Sequence, residues 1–370
     1  MTRPEASAGR LRARTILPFA AAGLGLAFFF LAWTVFRDSE GFAYDFAAYD
    51  TAARRLLAGE PLYLPGTVDA YRTGAYEGLY LYPPAVALAF VPFALAPPDD
   101  AATLWFFFRL VLLAFGCAVL PVSRTARLAS FAVAAVTFPV LFDLNIGNIS
   151  VVIFALTAMA WAGMGGPFAA VVHAVLVLLR LPFAAFGVLW VFQRRWRMLG
   201  QTAVAGIVIV LVSAIFVGPR SYVEYVEILT GLPDVSTGEH NFSLKSIALA
   251  AGLGVPVGNA LLLAGVVLGI VLIWFAATRR DAHTAFVVTA VATLLTAPFL
   301  HPHYLVLLLL PAALLFDRLT PAAIAIPLIG WLPGPFLPLA VIVVLFALLL
   351  PSADRGRHLE AFPVRAVPSG

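Results

Sequence analysis

The sequence predicts an all-α protein that crosses a lipid bilayer about 12 times. Three observations lead there. Apolar residues make up 62% of the chain and charged residues 11%, against about 45–50% and about 25% in soluble domains. The mean hydropathy is +0.98. The apolar residues fall in blocks separated by short stretches that hold most of the arginines. No soluble fold hides that much apolar surface, which excludes a cytoplasmic enzyme, a secreted domain and a nucleic-acid reader. Lipid is the expected solvent.

The first element is a retained helix. Arg3, Arg10, Arg12 and Arg14 precede an apolar run from Thr15 to Phe36. The run is too long for a signal-peptide core and no small-residue cleavage site follows it. The arginines predict a cytoplasmic N-terminus. Later apolar runs are Ala101–Pro121, Leu128–Phe142, Asn148–Met164, Pro167–Leu179, Pro182–Phe192, Leu199–Val217, Gly258–Ala277, His283–Leu300, His303–Phe316, Pro321–Trp331 and Phe336–Leu350. Several fall short of the roughly 20 residues a straight span needs, which suggests helices that stop at a cavity inside the membrane.

The arginine clusters set the path. Arg124/Arg127, Arg194/Arg195/Arg197, Arg279/Arg280, Arg318 and Arg355/Arg357/Arg365, with the four at the start, hold 15 of the 23 bases. One path puts all of them in the cytoplasm. It needs Tyr82–Ala96, with Pro83, Pro84 and Pro92, to dip in and return, not to cross. It also needs Pro167–Phe192 to be a hairpin broken at Arg180-Leu181-Pro182. A rival path lets Tyr82–Ala96 cross and buries Arg180 mid-membrane. The preferred path gives one transmembrane domain over residues 1–350, external segments at 37–100 and 218–257, and a cytoplasmic tail at 351–370. The external stretches are acidic: residues 37–82 hold seven acids and four bases, residues 218–257 four and two. The net charge of +4 is therefore a topology signal and not a nucleic-acid footprint. Cys117, the single cysteine, excludes a disulfide framework. Trp33, Trp105, Trp190, Trp196 and Trp331 read as interface anchors.

On this path the polar residues between the runs collect on the external side. They are Asp45 and Tyr49, Tyr82-Pro83-Pro84, Asp143 through Asn148, Arg180, His240 through Lys245, and His301-Pro302-His303-Tyr304. Polar groups at membrane depth are costly and mark substrate paths. Phe46, Tyr49, Ala53, Leu56 and Leu57 share one helix face, and Asp50 and Arg54 pair on the other as a solvated face. Gly59 and Pro61 end this helix. It is expected to lie in the interface plane, with Asp45 at its N-terminal edge.

These residues resemble a family. Asp45-Phe46-x-x-Tyr49-x-x-Ala52, Gly59-x-Pro61-x-Tyr63 and Tyr82-Pro83-Pro84 are similar to the start of glycosyltransferase family 87. Gly147-Asn148, Arg180-Leu181-Pro182, Asn241-Phe242-Ser243-Leu244 and Pro298-x-x-His301-x-His303-Tyr304 match later elements in order. Arg180 stands for the family's lysine, and Leu300 and His301 replace its serine and tryptophan. The resemblance covers residues 45 to about 311. It implies a GT-C fold in a bacterial inner membrane, with both termini cytoplasmic and the active site external.

It also implies a reaction. A hexose, mannose by resemblance, moves from a polyprenyl-phosphate donor to a glycolipid or glycan acceptor. Such a reaction needs a carboxylate to take the acceptor proton and cations or N–H groups to hold the leaving phosphate. No cofactor and no metal are expected, because the donor already carries a good leaving group. The implied catalytic residues are Asp45, as general base, and His303. Arg180, Lys245 and His301 are assigned to the donor phosphate. Tyr49, Tyr82, Asn148, Asn241 and Ser243 are assigned to the sugar or acceptor. Each has a plainer role beside it: N-capping for Asp45, Asn148 and Asn241, snorkelling for Arg180, and a wet interfacial imidazole for the histidines. Arg109 pairs with Asp143 or binds headgroups. Asp45 acting as base in one direct displacement predicts anomeric inversion. The rival functions are a secondary transporter and a non-catalytic lipid- or glycolipid-handling protein. A transporter is disfavoured because no internal repeat is visible.

Overall fold

The computed structural model describes residues 4–73, 78–232, 241–316 and 322–350. Every regular element there is helical, with no strand among the described residues. In chain order the helices are α1 (Pro4–Phe36), α2 (Tyr44–Ala58), α3 (Thr67–Arg72), α4 (Pro84–Ala94), α5 (Pro98–Val119), α6 (Arg124–Ala134), α7 (Phe138–Ile146), α8 (Ser150–Ala162), α9 (Pro167–Leu179), α10 (Ala185–Phe192), α11 (Trp196–Val217), α12 (Pro219–Gly231), α13 (Leu244–Ala250), α14 (Gly254–Arg279), α15 (Ala282–Thr296), α16 (Leu309–Phe316), α17 (Ala322–Leu328) and α18 (Leu337–Leu349). The expected signals at Arg3, His240, Arg318, Arg355, Arg357 and Arg365, and the tail 351–370, lie outside the described residues.

Proline explains many of the starts. Pro84, Pro98, Pro139, Pro167 and Pro219 stand in the first turn of their helices, where a missing N–H breaks no internal bond. The prolines expected to disfavour a straight helix across Tyr82–Ala96 stand mostly at its start. Pro83 caps α4, Pro84 begins it, and only Pro92 lies within it. α4 is still 11 residues long, about 16 Å at 1.5 Å per residue. The bilayer's hydrocarbon core is about 30 Å thick.

Length also separates the twelve expected crossings. The segment Ile16–Phe36 of α1, and α5, α11 and α14, are long and apolar enough to span, which makes four. A fifth arises if α6 and α7, bent by 61°, count as one broken span. Seven other apolar pieces have 10–17 residues. Apolar runs in the sequence do not reveal where a helix breaks, so counting runs gives more crossings than continuous helices supply.

α15 lies at the centre, buried from Thr284 to Leu295. α14 packs on it through Gly265 and Gly269. A Cβ at Gly265 would sit 3.2 Å from the Leu295 carbonyl oxygen, and one at Gly269 3.1 Å from Thr296. Small residues at such a crossing let backbones approach. The outer helices carry exposed apolar side chains: Leu24 and Leu31 on α1, Ile207, Leu211 and Ile215 on α11, and Leu263 and Val267 on α14. A surface this apolar belongs in lipid.

α9 and α10 form the expected hairpin. The His173 ring lies 4.5 Å from Phe186 and 4.8 Å from Trp190, and Met164 and Gln193 line one small cavity at the open end. The turn is Arg180, in extended backbone (φ −154°), followed by a 3-10 turn at Leu181–Ala184. Two of the expected interface tryptophans are core residues instead. Trp105 and Trp190 are buried, because their rings fill aromatic clusters; Trp196 and Trp331 are exposed.

Candidate active site

Asp45 stands in the first turn of α2, and the capping position belongs to Ala43. Ala43 takes a left-handed conformation (φ 59°) and makes no side-chain cap. The half-buried Asp45 carboxylate is held from another direction: the Asn148 amide donates to it across 2.7 Å. The other end of that amide accepts from the Ser150 hydroxyl at 3.1 Å. Asn148 thus orients Asp45.

Gly147 makes this meeting possible. Its φ is +81°, and a Cβ there would lie 2.7 Å from the Cβ of Phe46 and 3.1 Å from the Cα of Ala43. Only glycine combines that backbone angle with that approach. The Ala43 N–H donates to the Asn145 carbonyl at 2.8 Å, and the Trp105 indole donates to the Gly147 carbonyl at 2.8 Å. The start of α2 is thereby pinned to the end of α7.

Beneath Asp45 lies a buried ion pair. Arg109 on α5 and Asp143 on α7 approach to 3.4 Å with exposures of 1% and 0%, which decides the open question about Arg109. Its guanidinium also donates to the carbonyls of Asp143, Leu144 and Asn148. The Asp143 and Leu144 carbonyls lie in the last turn of α7 and that of Asn148 just beyond it; the Asp143 carbonyl also accepts the Gly147 and Asn148 N–H groups. Asp143 accepts from the Ser150 N–H at 2.9 Å, at the start of α8. Arg109 and Asp143 together hold the Gly147-Asn148 turn in place.

Tyr49, one helical turn beyond Asp45, donates its hydroxyl to that of Tyr82 at 3.0 Å and stacks on Phe90. The Tyr63 hydroxyl donates to the Tyr82 carbonyl at 2.6 Å. Asp50 and Arg54 do pair, at 2.7 Å, but not on a solvated face. Asp50 is buried, and Arg54 donates to the carbonyls of Ala94 and Ala96 at the end of α4. A short helix in an apolar setting needs partners for its last carbonyls, and Arg54 supplies them.

The second half of the site comes from the far part of the chain. The Arg180 guanidinium stacks on the Tyr304 ring at 3.1 Å. His301 stacks on His303 at 5.4 Å, and His303 lies 5.9 Å from Phe142 of α7. His303 is buried, and neither ring nitrogen has a hydrogen-bond partner among the described residues. Tyr82 joins the halves: it interacts electrostatically with Asp45, Arg180 and Tyr304. Asp45 in turn interacts with Tyr304, the neighbour of His303. Burial lifts the Asp45 carboxyl above its ordinary range, and the Asn148 bond and the Arg109 charge oppose that rise.

Asn241 and Ser243 are engaged differently. The Asn241 side-chain oxygen accepts the N–H groups of Ser243 and Leu300, each at 2.9 Å. Its NH2 donates to the Pro298 carbonyl at 3.3 Å. The Ser243 hydroxyl caps α13 by accepting the Ser246 N–H. These residues tie the approach to α13 to the strand of chain that leads into His301. Lys245 is buried on α13 with its stem against Gly258 of α14. Among the described residues no cluster of three or more His, Cys, Asp and Glu side chains is arranged to hold a metal ion.

The model of glycosyltransferase family 87 matches residues 80–311, which is 232 of the 370 residues. The chain belongs to glycosyltransferase family 87. No curated protein and no solved structure matches it. The matched region takes in Tyr82, Asn148, Arg180, Asn241, Ser243, Lys245, His301 and His303. Asp45 and Tyr49 precede it. They join the family region through the Asp45–Asn148 and Tyr49–Tyr82 hydrogen bonds. Tyr304 was not among the residues expected to act; its place beside two histidines was the available signal.

Proposed function

We propose that this family 87 enzyme transfers a hexose from a polyprenyl-phosphate donor to a glycolipid or glycan acceptor at the external face of a bacterial inner membrane. Mannose is the proposed sugar. The fold is proposed as GT-C, with the short helix pairs completing about 12 passes and both termini cytoplasmic. The observation that carries the reading is the Asn148-oriented carboxylate of Asp45 within electrostatic reach of the Tyr82 hydroxyl, which is likewise within reach of Arg180.

Asp45 is the general base. Its carboxylate accepts the acceptor's hydroxyl proton as the oxygen attacks the anomeric carbon. The bond from that carbon to the phosphate oxygen breaks, and its electron pair leaves with the lipid phosphate. Attack opposite the leaving group inverts the anomeric centre. Arg180 meets the charge gathering on the phosphate, since a guanidinium can bind two phosphate oxygens at once. Tyr304 fixes the plane of that guanidinium. His303, with both nitrogens unpartnered, is placed to donate to the phosphate or the sugar, and His301 to support it. Charge on the leaving group is met by fixed side chains, and the proposed step needs no metal. Tyr49 and Tyr82 border the sugar. Asn148 acts by orienting Asp45, and Asn241 and Ser243 act by positioning the chain before His301. Lys245 is kept as a secondary charge for the donor phosphate.

The test uses membranes containing the protein, labelled polyprenyl-phosphate-mannose and a lipid extract of the host. Label should enter a new glycolipid or glycan. Asp45→Asn should cut the rate by about 10²–10⁴-fold while the protein remains folded. Full transfer by a folded Asp45→Asn protein would remove Asp45 from the mechanism. No transfer by the wild type, from this or other polyprenyl-phosphate hexoses, would end the donor assignment.

A further inference from the structure

We infer that α12 lies along the membrane boundary on the side that carries the site, with Val223, Val226 and Leu229 seated in lipid. α11 is an apolar helix of 22 residues, about 33 Å long. Its end at Val217 therefore stands at the edge of a hydrocarbon core about 30 Å thick. Only Gly218, with φ 77°, separates α11 from α12. The Ser221 hydroxyl donates to the Val217 carbonyl at 2.8 Å, a group in the last turn of α11 that its own helix leaves open. α12 starts at the boundary.

At about 100° per residue, α12 has three faces. Ser221, Tyr225 and Ile228 form the face packed on protein: Ser221 and Ile228 are buried, and Tyr225 stacks on Tyr63 at 6.1 Å. Leu229, Tyr222, Val226, Thr230 and Val223 form a second face, roughly 120° wide. On it Val223, Val226 and Leu229 are 58%, 57% and 48% exposed. Arg220, Glu224 and Glu227 form the third face, with Arg220 paired to Glu224 at 3.0 Å. Tyr222 gives the direction of the second face. Its hydroxyl meets that of Ser213 at 2.5 Å, and Ser213 lies about 6 Å before the end of α11. The second face accordingly points back along α11 into the membrane. The charged face, nearly opposite Tyr222 around the helix, points to water. At the same level α11 exposes Leu211, Ile215 and Phe216, so the surroundings there are lipid. The polar groups of the second face are already satisfied: Tyr222 is bonded to Ser213, and the Thr230 hydroxyl donates to the Val226 and Glu227 carbonyls. An apolar face turned towards the bilayer, with no open polar group, is suited to lipid.

The packed face carries this seat to the site. Tyr63 lies between Tyr225 and the Tyr82 carbonyl, to which its hydroxyl donates. Arg72 of α3 donates to the Gly231 carbonyl at 3.1 Å. α12 thereby anchors the segment that ends at Tyr82 to the bilayer surface. Nitroxide labels test the inference on the full-length protein in dioleoylphosphatidylcholine vesicles, attached through Val223→Cys, Val226→Cys, Leu229→Cys, Arg220→Cys and Glu227→Cys. Cys117 is buried, and the unsubstituted protein serves as the control for labelling. Labels at 223, 226 and 229 should collide with oxygen severalfold more often than with a water-soluble nickel chelate. Labels at 220 and 227 should show the reverse. Equal access of the nickel chelate to all five would place α12 in water. Shielding of 223, 226 and 229 from both reagents would mean that protein covers them. Either result overturns the inference. Thermal unfolding identifies any variant that fails to fold, and the remaining labels of each face then decide. The measurement needs no turnover, so its outcome is separate from that of the sugar-transfer reading.

Discussion

The Asn148 amide and the Asp45 carboxylate meet at 2.7 Å although 103 residues separate them in sequence. Asn148 opens the approach to α8 and Asp45 opens α2, so one hydrogen bond joins the element outside the family match to the region inside it. It also sets the protonation of the proposed base. Burial raises the Asp45 pKa, and Asn148 lowers it by bonding the charged form.

A pH dependence follows. A general base works only when deprotonated, so activity should fall as pH drops through the raised pKa of Asp45. The acid limb of kcat/KM should therefore lie above the ordinary aspartate value of about 3.9. Asn148→Ala removes the bond that favours the carboxylate, which moves the limb to higher pH and lowers the rate at neutral pH. A pH–rate profile checks this; an unmoved limb would detach Asn148 from the base.

Gly147→Ala should be costly despite its size. The added Cβ meets Phe46 at 2.7 Å and imposes a side chain on φ +81°. Strain of this kind costs about 1–3 kcal/mol. Thermal unfolding should register that loss, and activity should drop further because α2 retreats from Asn148.

The buried pair Arg109–Asp143 should be intolerant of one-sided change. Arg109→Met strands the carboxylate and the Leu144 carbonyl, for a loss of about 3–5 kcal/mol. Asp143→Asn keeps an acceptor for the Ser150 N–H and should lose less. Denaturant unfolding of the two variants in the same detergent gives the ordering.

Arg54→Ala should loosen α4. It removes two bonds to carbonyl oxygens and leaves the buried Asp50 without its cation. Breaking such a pair costs about 3 kcal/mol or more. Limited proteolysis should cut first near residues 94–97, and Asp50→Asn combined with Arg54→Ala should recover part of the loss.

Arg180 and Tyr304 give a graded series. Arg180→Ala should raise the donor KM more than tenfold, as expected when a charged phosphate contact is lost. Arg180→Lys keeps the charge without the planar stack and should fall between. Tyr304→Phe keeps the ring under the guanidinium and should be the mildest. Steady-state kinetics with varied donor would show equal effects of all three if the stack were irrelevant.

Membrane residence, the helical class, the family and the rough address of the site were legible in the residues themselves. They depend on composition, on blocks of apolar residues and on short local motifs such as Gly147-Asn148 and His301-Pro302-His303. The break at Arg180-Leu181-Pro182 was legible too, because proline cannot continue a helix. The partners of polar side chains were not. Asp50 and Arg54 read as a solvated pair until α4 arrived to cover them. Asn241 read as a sugar ligand, yet its amide closes onto the backbone at 298 and 300. Arg109 had two equal uses until α7 supplied three acceptors. In each case the deciding group lies 34 or more residues away. Apolar patterning is a property of neighbours along the chain, and so the sequence alone determines it. Pairing of buried polar groups depends on which distant segments share a dry interior, and only the packed helices decide that.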